Sequence, residues 1–300
     1  MDICEITKKA DILIEALPYI QRFKNSVFVI KYGGAFMDDP DPKIRTSVAQ
    51  DIAFLASVGI KVVVVHGGGK AISRAMDKAG LVPEFKNGMR VTDEKTVGIV
   101  ERVLNGQVNS EICEMLKARG VNAKSIKGNM VLKCKKLLSK DAAGNEVDLG
   151  YVGETTEVDA QVIVDAIADG SVAVVSPIAL GDDFHPYNTN ADVAASAVAC
   201  ALRARRLVFL CDVPGLMRDF KDKTSLISTL KMGEIESLKQ SKVIAGGMLP
   251  KVDSGVKALK SGVRRVHFVN GYMPHSLILE IFTDEGIGTE IVHDFKSNEH

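Results

Sequence analysis

The residues best placed to do chemistry sit where apolar runs break into glycine. Residues 61–70, KVVVVHGGGK, carry four consecutive valines straight into Gly67-Gly68-Gly69. β-Branched side chains favour extended backbone and no polar residue interrupts the run, so the valines read as a central strand buried on both faces. The glycines pass the chain into a helix-compatible segment, residues 70–78, through a turn without Cβ atoms. Backbone N–H groups left free at the positive end of a helix suit an anion, phosphate above all. A plain tight turn between strand and helix fits the same residues. The spacing matches neither a Walker A loop nor GxGxxG.

A second apolar run, residues 27–30, ends in Lys31-Tyr32-Gly33-Gly34 and sets a cation at the C-terminal edge of a strand, where ligands sit in open parallel sheets. Lys31 alone also fits a solvated surface position; two glycine turns at successive strand ends favour a ligand. Arg90, in the loop 87–92, stands just before a helix start, where its planar fork could hold a carboxylate by two hydrogen bonds. A lone surface arginine is the alternative. Asn188-Thr189-Asn190-Ala191-Asp192 opens an alanine-rich helix, and helix capping accounts for one of its four polar side chains. Asp212-Val213-Pro214-Gly215 ends the strand 207–211, and Gly246-Gly247 precede Met248-Leu249-Pro250-Lys251 and a helix over 252–261.

The intervening elements must hold these stretches together. Residues 2–24 read as a helix with Ile3, Ile6, Ala10, Leu13, Leu17 and Ile20 in a narrow seam of the kind that packs on another helix, bent or interrupted near Pro18. A helix that caps its own domain is the alternative. Asp38 to Pro42 form a loop. Residues 43–57 form a helix that completes a right-handed βαβ unit. A long helix over 93–119 turns Val97, Val100, Leu104, Val108, Ile112 and Met115 inward, with Asp93 and Glu94 in its first turn. Residues 121–158 alternate in short segments broken at 128–129, 143–145 and 150, and read as projecting antiparallel hairpins. A helix over 159–169, a strand over 172–175, a loop over 181–190, a helix over 191–204 and strands over 266–269 and 289–292 follow. The fold class is therefore α/β, a largely parallel central sheet covered by helices on both faces, with projecting β-hairpins.

Composition narrows the classes. Three hundred residues allow one large or two ordinary domains at ~150 each. Thirty-eight basic residues balance thirty-eight acidic ones, with no basic cluster among aromatics, so nucleic acid is not an expected partner. Five cysteines without a CxxC pair point to a reducing, cytoplasmic setting. No apolar run reaches the ~20 residues of a membrane span, and the start MDICEI lacks a signal peptide's basic region. Six histidines without HExxH or HxH give no expectation of a metal site.

Taken in order, Lys31-Tyr32-Gly33-Gly34, His66-Gly67-Gly68-Gly69, Gly88-Met89-Arg90-Val91-Thr92, Asn188-Thr189-Asn190-Ala191-Asp192, Asp212-Val213-Pro214-Gly215 and Gly246-Gly247-Met248-Leu249-Pro250-Lys251 resemble the amino acid kinase family over nearly the whole chain. The match is closest to its acetylglutamate-phosphorylating branch. The resemblance implies transfer of the γ-phosphoryl group of ATP, with Mg2+, to the side-chain carboxylate of N-acetyl-L-glutamate in arginine synthesis. It implies Lys31 and Lys251 as the two cations, Gly34 and Gly68 as backbone donors, and Asp192 as the group that positions the lysines. Gly68, Gly69, Arg90 and Asn188 would hold the acetylglutamate. Asp212, Val213, Pro214, Gly215, Leu216 and Met217, with Val243, Ile244 and Ala245, would contact the nucleotide. A division near Ser176-Pro177 follows, giving an oligomerisation helix over 1–24, an acetylglutamate-binding domain over 25–177 and an ATP-binding domain over 178–300, with the hairpins near 124–148 as a lid.

Within that branch, a helix ahead of the kinase core marks arginine-inhibited hexamers, trimers of dimers joined through that helix. Residues 279–289 are similar to the branch's arginine site, which implies Glu280 facing the guanidinium and Gly286 offering backbone. Thr189 stands where isoleucine or valine is usual, and Glu290 where methionine is common. The other readings are a glutamate 5-kinase and a catalytically silent arginine-sensing module. A Rossmann dehydrogenase is disfavoured by the missing GxGxxG.

Overall fold

The computed structural model describes residues 3–37, 39–140 and 144–294; Asp38 of the expected Asp/Pro loop and Ala143 of an expected hairpin break lie outside them. Helix α1 (Ile3–Phe23) runs through Pro18 without interruption. Its last turn is held by tertiary packing, Tyr19 and Phe23 meeting Phe282 edge to face. Strands β1 (Val27–Tyr32) and β2 (Lys61–His66) are parallel and enclose α2 (Gly34–Met37) and α3 (Pro42–Ser57), the expected βαβ unit. Asp41 caps α3 by accepting the Lys43 N–H at 2.8 Å, with Pro42 in the first helical position. Helix α4 (Gly69–Lys78) starts directly after β2.

The expected loop 87–92 is instead built on a small hairpin, β3 (Phe85–Lys86) and β4 (Met89–Arg90). Asn87 and Gly88 both take positive φ, 51° and 75°, which is what a two-residue hairpin turn requires of its central pair. The expected long helix is α5 (Glu94–Glu101), a π-helical run over Arg102–Val108, and α6 (Asn109–Lys117). The wider π turn shifts the inward face, so Leu104, Val108, Ile112 and Leu116 are buried in steps of four while Met115 is only half-buried.

Strand β5 (Ala123–Ile126) is no hairpin arm; it pairs in parallel with β10 (Val172–Val175) at the edge of the main sheet. Its buried ends flank exposed Lys124 and Ser125, an edge-strand pattern that in sequence looks like alternation. Between β5 and β10 come β6 (Leu132–Lys136), β7 (Ser139–Lys140), β8 (Glu146–Val147), β9 (Val152–Val158) and α7 (Gln161–Ala168). After β10, the expected loop 181–190 contains half of a strand pair, β11 (Ile178–Gly181) and β12 (Pro186–Thr189). Strands β6, β9, β12 and β11 close into a four-stranded barrel, and β7 and β8 pair antiparallel outside it.

The C-terminal part adds α8 (Ala191–Ala201), β13 (Arg206–Cys211), β14 (Thr229–Lys231), α9 (Ile235–Gln240), α10 (Met248–Lys260), β15 (Arg265–Asn270), α11 (Ser276–Ile281) and β16 (Thr289–Val292). The main sheet has eight strands in the order β14-β16-β15-β13-β1-β2-β10-β5, all neighbours parallel except β15 and β16. Alternate valines serve opposite faces. Val62 and Val64 join the core under α3 and α6, while Val63 and Val65 join the one under α7, α8 and α10. That two-sided burial makes an uninterrupted valine run possible. It also leaves the C-terminal strand ends and the starts of α4, α8 and α10 on one side, where the site lies.

Candidate active site

Asp192 lies in the first turn of α8, and it divides the work with the three polar residues before it. Asn190 is the cap, its Oδ1 accepting the N–H groups of Asp192 at 2.8 Å and Val193 at 3.3 Å. Thr189 faces inward and donates from Oγ1 to the Pro177 carbonyl at 2.8 Å. Asn188 points to Thr92, Nδ2 to Oγ1 at 3.5 Å. Asp192 is left to bridge two ammonium groups, Oδ1 at 2.9 Å from Lys31 Nζ and Oδ2 at 2.7 Å from Lys251 Nζ. Lys31 comes from the end of β1. Lys251 comes from the first turn of α10, which begins at Met248 rather than at the expected residue 252.

All three side chains are largely buried. Burial alone would raise the Asp192 carboxyl, but the two ammonium groups outweigh it and hold the group below the ordinary carboxylate range. Burial works against the Lys251 ammonium as well, and Asp192 reverses that and raises it. The arrangement holds two charged lysines a few ångströms apart at the edge of a cavity.

That cavity, of about 490 Å³, is lined by Lys31, Lys251, Gly33, Asp212, Val213, Phe220, Ala245 and Met248 among others. Of the nine expected nucleotide contacts, Asp212, Val213 and Ala245 face it. Leu216, Met217 and Ile244 are buried in the protein interior, Pro214 is exposed, and Val243 packs against the core. The chain turns inward after Pro214 because Thr289 claims it: Leu216 N–H donates to Thr289 Oγ1 at 2.8 Å, and a Cβ on Gly215 would come within 2.6 Å of the same oxygen. Gly34 opens α2 beside the cavity wall formed by Gly33. Phe220 and Met248 are wall residues that sequence reasoning missed.

A second cavity, of about 430 Å³, is lined by Arg90, Asn190 and Pro250 together with Asn188, Val152, Gly153 and Glu154 of the barrel strands and Leu137 just after β6. Asn190 and Pro250 lie within two residues of Asp192 and Lys251, so the starts of α8 and α10 stand between the two cavities. Leu137, from the segment expected to act as a lid, lines this cavity, and strand β7 is held by Asn87, whose Nδ2 donates to Ser139 Oγ and to the Lys140 carbonyl, both at 2.8 Å.

Arg90 is buried and already engaged by α4. Its Nη2 donates to the Gly69 carbonyl at 3.1 Å and to Ser73 Oγ at 2.8 Å, and its Nη1 approaches Met76 Sδ at 3.2 Å. Gly68 caps α4 at close quarters, since a Cβ there would lie 2.4 Å from Leu104 Cδ2; Gly69 has open space. Gly67 is pinned on both sides, its N–H donating to the Tyr32 carbonyl and its own carbonyl accepting from His66 Nδ1, each at 2.8 Å.

A third, smaller cavity of about 130 Å³ gathers Tyr19 and Arg22 of α1 with Arg206, Arg265, Glu280, Asp284, Glu285, Gly286 and Glu290. Glu280 is buried in its lining and already engaged: Oε1 accepts from His267 Nδ1 at 2.7 Å, and Oε2 from the Ile287 and Gly288 N–H groups at 2.8 Å each. Burial raises its carboxyl, but these donors prevail and hold it low. Gly286 has φ of 64°, and a Cβ there would meet Glu280 Oε2 at 2.8 Å. Glu290 pairs with Arg265 at 2.8 Å. Tyr19 donates its hydroxyl proton to Asp284.

Among the described residues no group of three or more His, Cys, Asp or Glu side chains is placed to hold a metal ion, and no helix is long and apolar enough to cross a membrane. The Amino acid kinase family model matches residues 26–270. The acetylglutamate kinase of Methanocaldococcus jannaschii is 46% identical over 302 aligned positions, which cover 98% of this chain and 99% of that protein. The N-acetylglutamate synthase of Neisseria gonorrhoeae, complexed with coenzyme A and N-acetyl-glutamate, superimposes with a TM-score of 0.81 at 28% identity, over 94% of this chain and 63% of that one. The same synthase complexed with coenzyme A and L-arginine gives 0.76 at 27%, over 94% and 65%.

Proposed function

The chain belongs to the amino acid kinase family and is a phosphotransferase, and from that membership we propose that it phosphorylates the side-chain carboxylate of N-acetyl-L-glutamate with ATP, which enters as its magnesium complex. The bond from γ-phosphorus to its bridging oxygen breaks as a carboxylate oxygen bonds to phosphorus; the products are ADP and an acyl phosphate. The acceptor, with an ordinary carboxyl pKa of ~4.3, is already ionised at neutral pH, so no general base is required. What the reaction needs is a fixed cluster of positive charge and N–H groups at the transferring phosphoryl. The observation that carries the reading is the Lys31–Asp192–Lys251 bridge, whose lysines line the first cavity while the adjacent Asn190 and Pro250 line the second. Asp192 holds both lysines in place, so neither has to be reorganised in the transition state.

We assign acetylglutamate to the cavity of Arg90 and Asn188, with Gly68 and Gly69 beside it, and ATP to the cavity of Asp212, Val213 and Ala245. Gly34 and Gly68 are the proposed backbone donors. This divides the chain near Ser176-Pro177 into an acceptor part and a nucleotide part, in a cytoplasmic enzyme of arginine synthesis. The test is ADP release coupled to a dye-linked assay, with acetylglutamate, with free glutamate and with neither. Release driven equally by free glutamate would point to a glutamate 5-kinase, and release indifferent to any acceptor would sink the proposal.

A second reading concerns the third cavity. We infer that it binds L-arginine as an inhibitor, supported by its carboxylates Asp284 and Glu285 and by the Tyr19 and Arg22 wall contributed by α1. Glu280 and Gly286 then act by shaping the loop 282–288 around the ligand. The exposed Leu13 and Leu17 of the α1 seam fit contact with a second copy and a hexameric ring.

A further inference from the structure

Phe220 has no assigned role, yet it stands in the wall of the proposed nucleotide cavity with 63% of its surface exposed. It is carried on a turn braced at several points. Met217 and Leu226 form a β-bridge at its base, and Arg218 N–H donates to the Ser225 carbonyl at 3.0 Å. Asp219 N–H donates to Ser225 Oγ at 3.0 Å, and that hydroxyl reaches the Asp219 carbonyl at 2.7 Å. Lys221 N–H closes on Asp219 Oδ1 at 2.9 Å. A turn so tied holds a large apolar ring against water rather than letting it fold onto the core, which is unfavourable unless something covers the ring.

The rest of the wall indicates what. The cavity is cationic at Lys31 and Lys251, carries one carboxylate at Asp212, and is apolar at Val213, Ala245 and Met248. A ligand anionic at one end and flat and apolar at the other matches both. Resting on the ATP assignment above, we propose that Phe220 is one face of the base subsite, stacking on the adenine while the lysines take the phosphates.

The chain contains no tryptophan, so Phe220→Trp makes a sole indole reporter at the site. Its fluorescence should change saturably with MgATP and with MgADP, and not with inorganic tripolyphosphate, which has phosphates and no base. Phe220→Ala should raise the KM for ATP about tenfold, the scale of one base-stacking contact. The KM for acetylglutamate and kcat should stay within about twofold, because the ring touches no reacting atom. Calorimetric titration of the wild type with ATP separates the two levels of the argument. A wild type that binds no nucleotide overturns both the ATP assignment and the stacking role. A wild type that binds ATP, with Phe220→Ala unchanged in KM for ATP, overturns the stacking role alone. So does a fluorescence change that follows protein concentration instead of nucleotide, since it would mean that a second copy covers the ring.

Discussion

At the scale of single residues, the charge arrangement separates turnover from binding. Lys31 and Lys251 meet through Asp192 and not through the acceptor pocket, so their contribution belongs to the moving phosphoryl group. Lys31→Ala and Lys251→Ala should each lower kcat by ~10²–10³ while the KM for acetylglutamate changes little, as expected for loss of one preorganised stabilising contact. Steady-state kinetics with both substrates varied checks this, and near-normal turnover in either variant would remove that lysine from the site. His66 offers a test by pH. Complete burial pushes its imidazole down to about 4, and the Gly67 carbonyl opposes this only partly. Unfolded, it would take a proton near pH 6.5, so stability falls as the pH drops from about 6.5 to about 4, by at most roughly 2–3 kcal/mol from this one group. Denaturant unfolding across that range should show a shallower slope in His66→Asn than in the wild type; equal slopes would mean that His66 does not contribute.

At the scale of elements, the start of α4 depends on the π-helical run between α5 and α6. Leu104, fully buried in that run, fills the space a side chain at Gly68 would need. Gly68→Ala should cost about 1–3 kcal/mol through overpacking and should raise the KM for acetylglutamate, because the helix start must shift. Gly69→Ala, with open space around it, should lose far less stability. Adding Leu104→Ala to Gly68→Ala should recover part of the acetylglutamate KM even though the core loses volume. Thermal unfolding and kinetics on the three variants decide it, and a Gly68→Ala protein as stable as Gly69→Ala would show that the contact is not tight in solution.

At the scale of the whole molecule, the proposed oligomer contact and the proposed arginine site fall on different surfaces of α1. Leu13 and Leu17 are exposed, whereas Phe23 is buried against Phe28 and Phe282 and Tyr19 reaches Asp284 at the third cavity. Removing residues 1–24 would therefore cut into the core. Removing residues 1–16 takes the exposed part and leaves Tyr19 and Phe23 in place. That truncated protein should remain active, form a smaller oligomer and lose most of its inhibition by arginine, since an effector must favour one arrangement of the assembly to act through it. Light scattering and inhibition curves measure both, and a truncated chain that keeps the assembly and the inhibition of the full chain would end the proposal.

Local pattern was enough to reveal most strands of the main sheet, the glycine turns at their ends and most helices, because side-chain periodicity and the conformational freedom of glycine act over a few residues. It also singled out Lys31, Arg90 and the polar run 188–192. Which of those polar residues would cap and which would bridge lysines could not be read there. Asp192 and Lys251 lie 59 positions apart and meet only because α8 and α10 pack side by side. The same limit explains β5, whose short buried and exposed pattern defines its faces but not its neighbour, and residues 214–217, whose inward turn depends on Thr289 far along the chain. Periodicity specifies which face of an element is buried. Its partner is chosen by the order in which the strands assemble, and that is a property of the folded molecule.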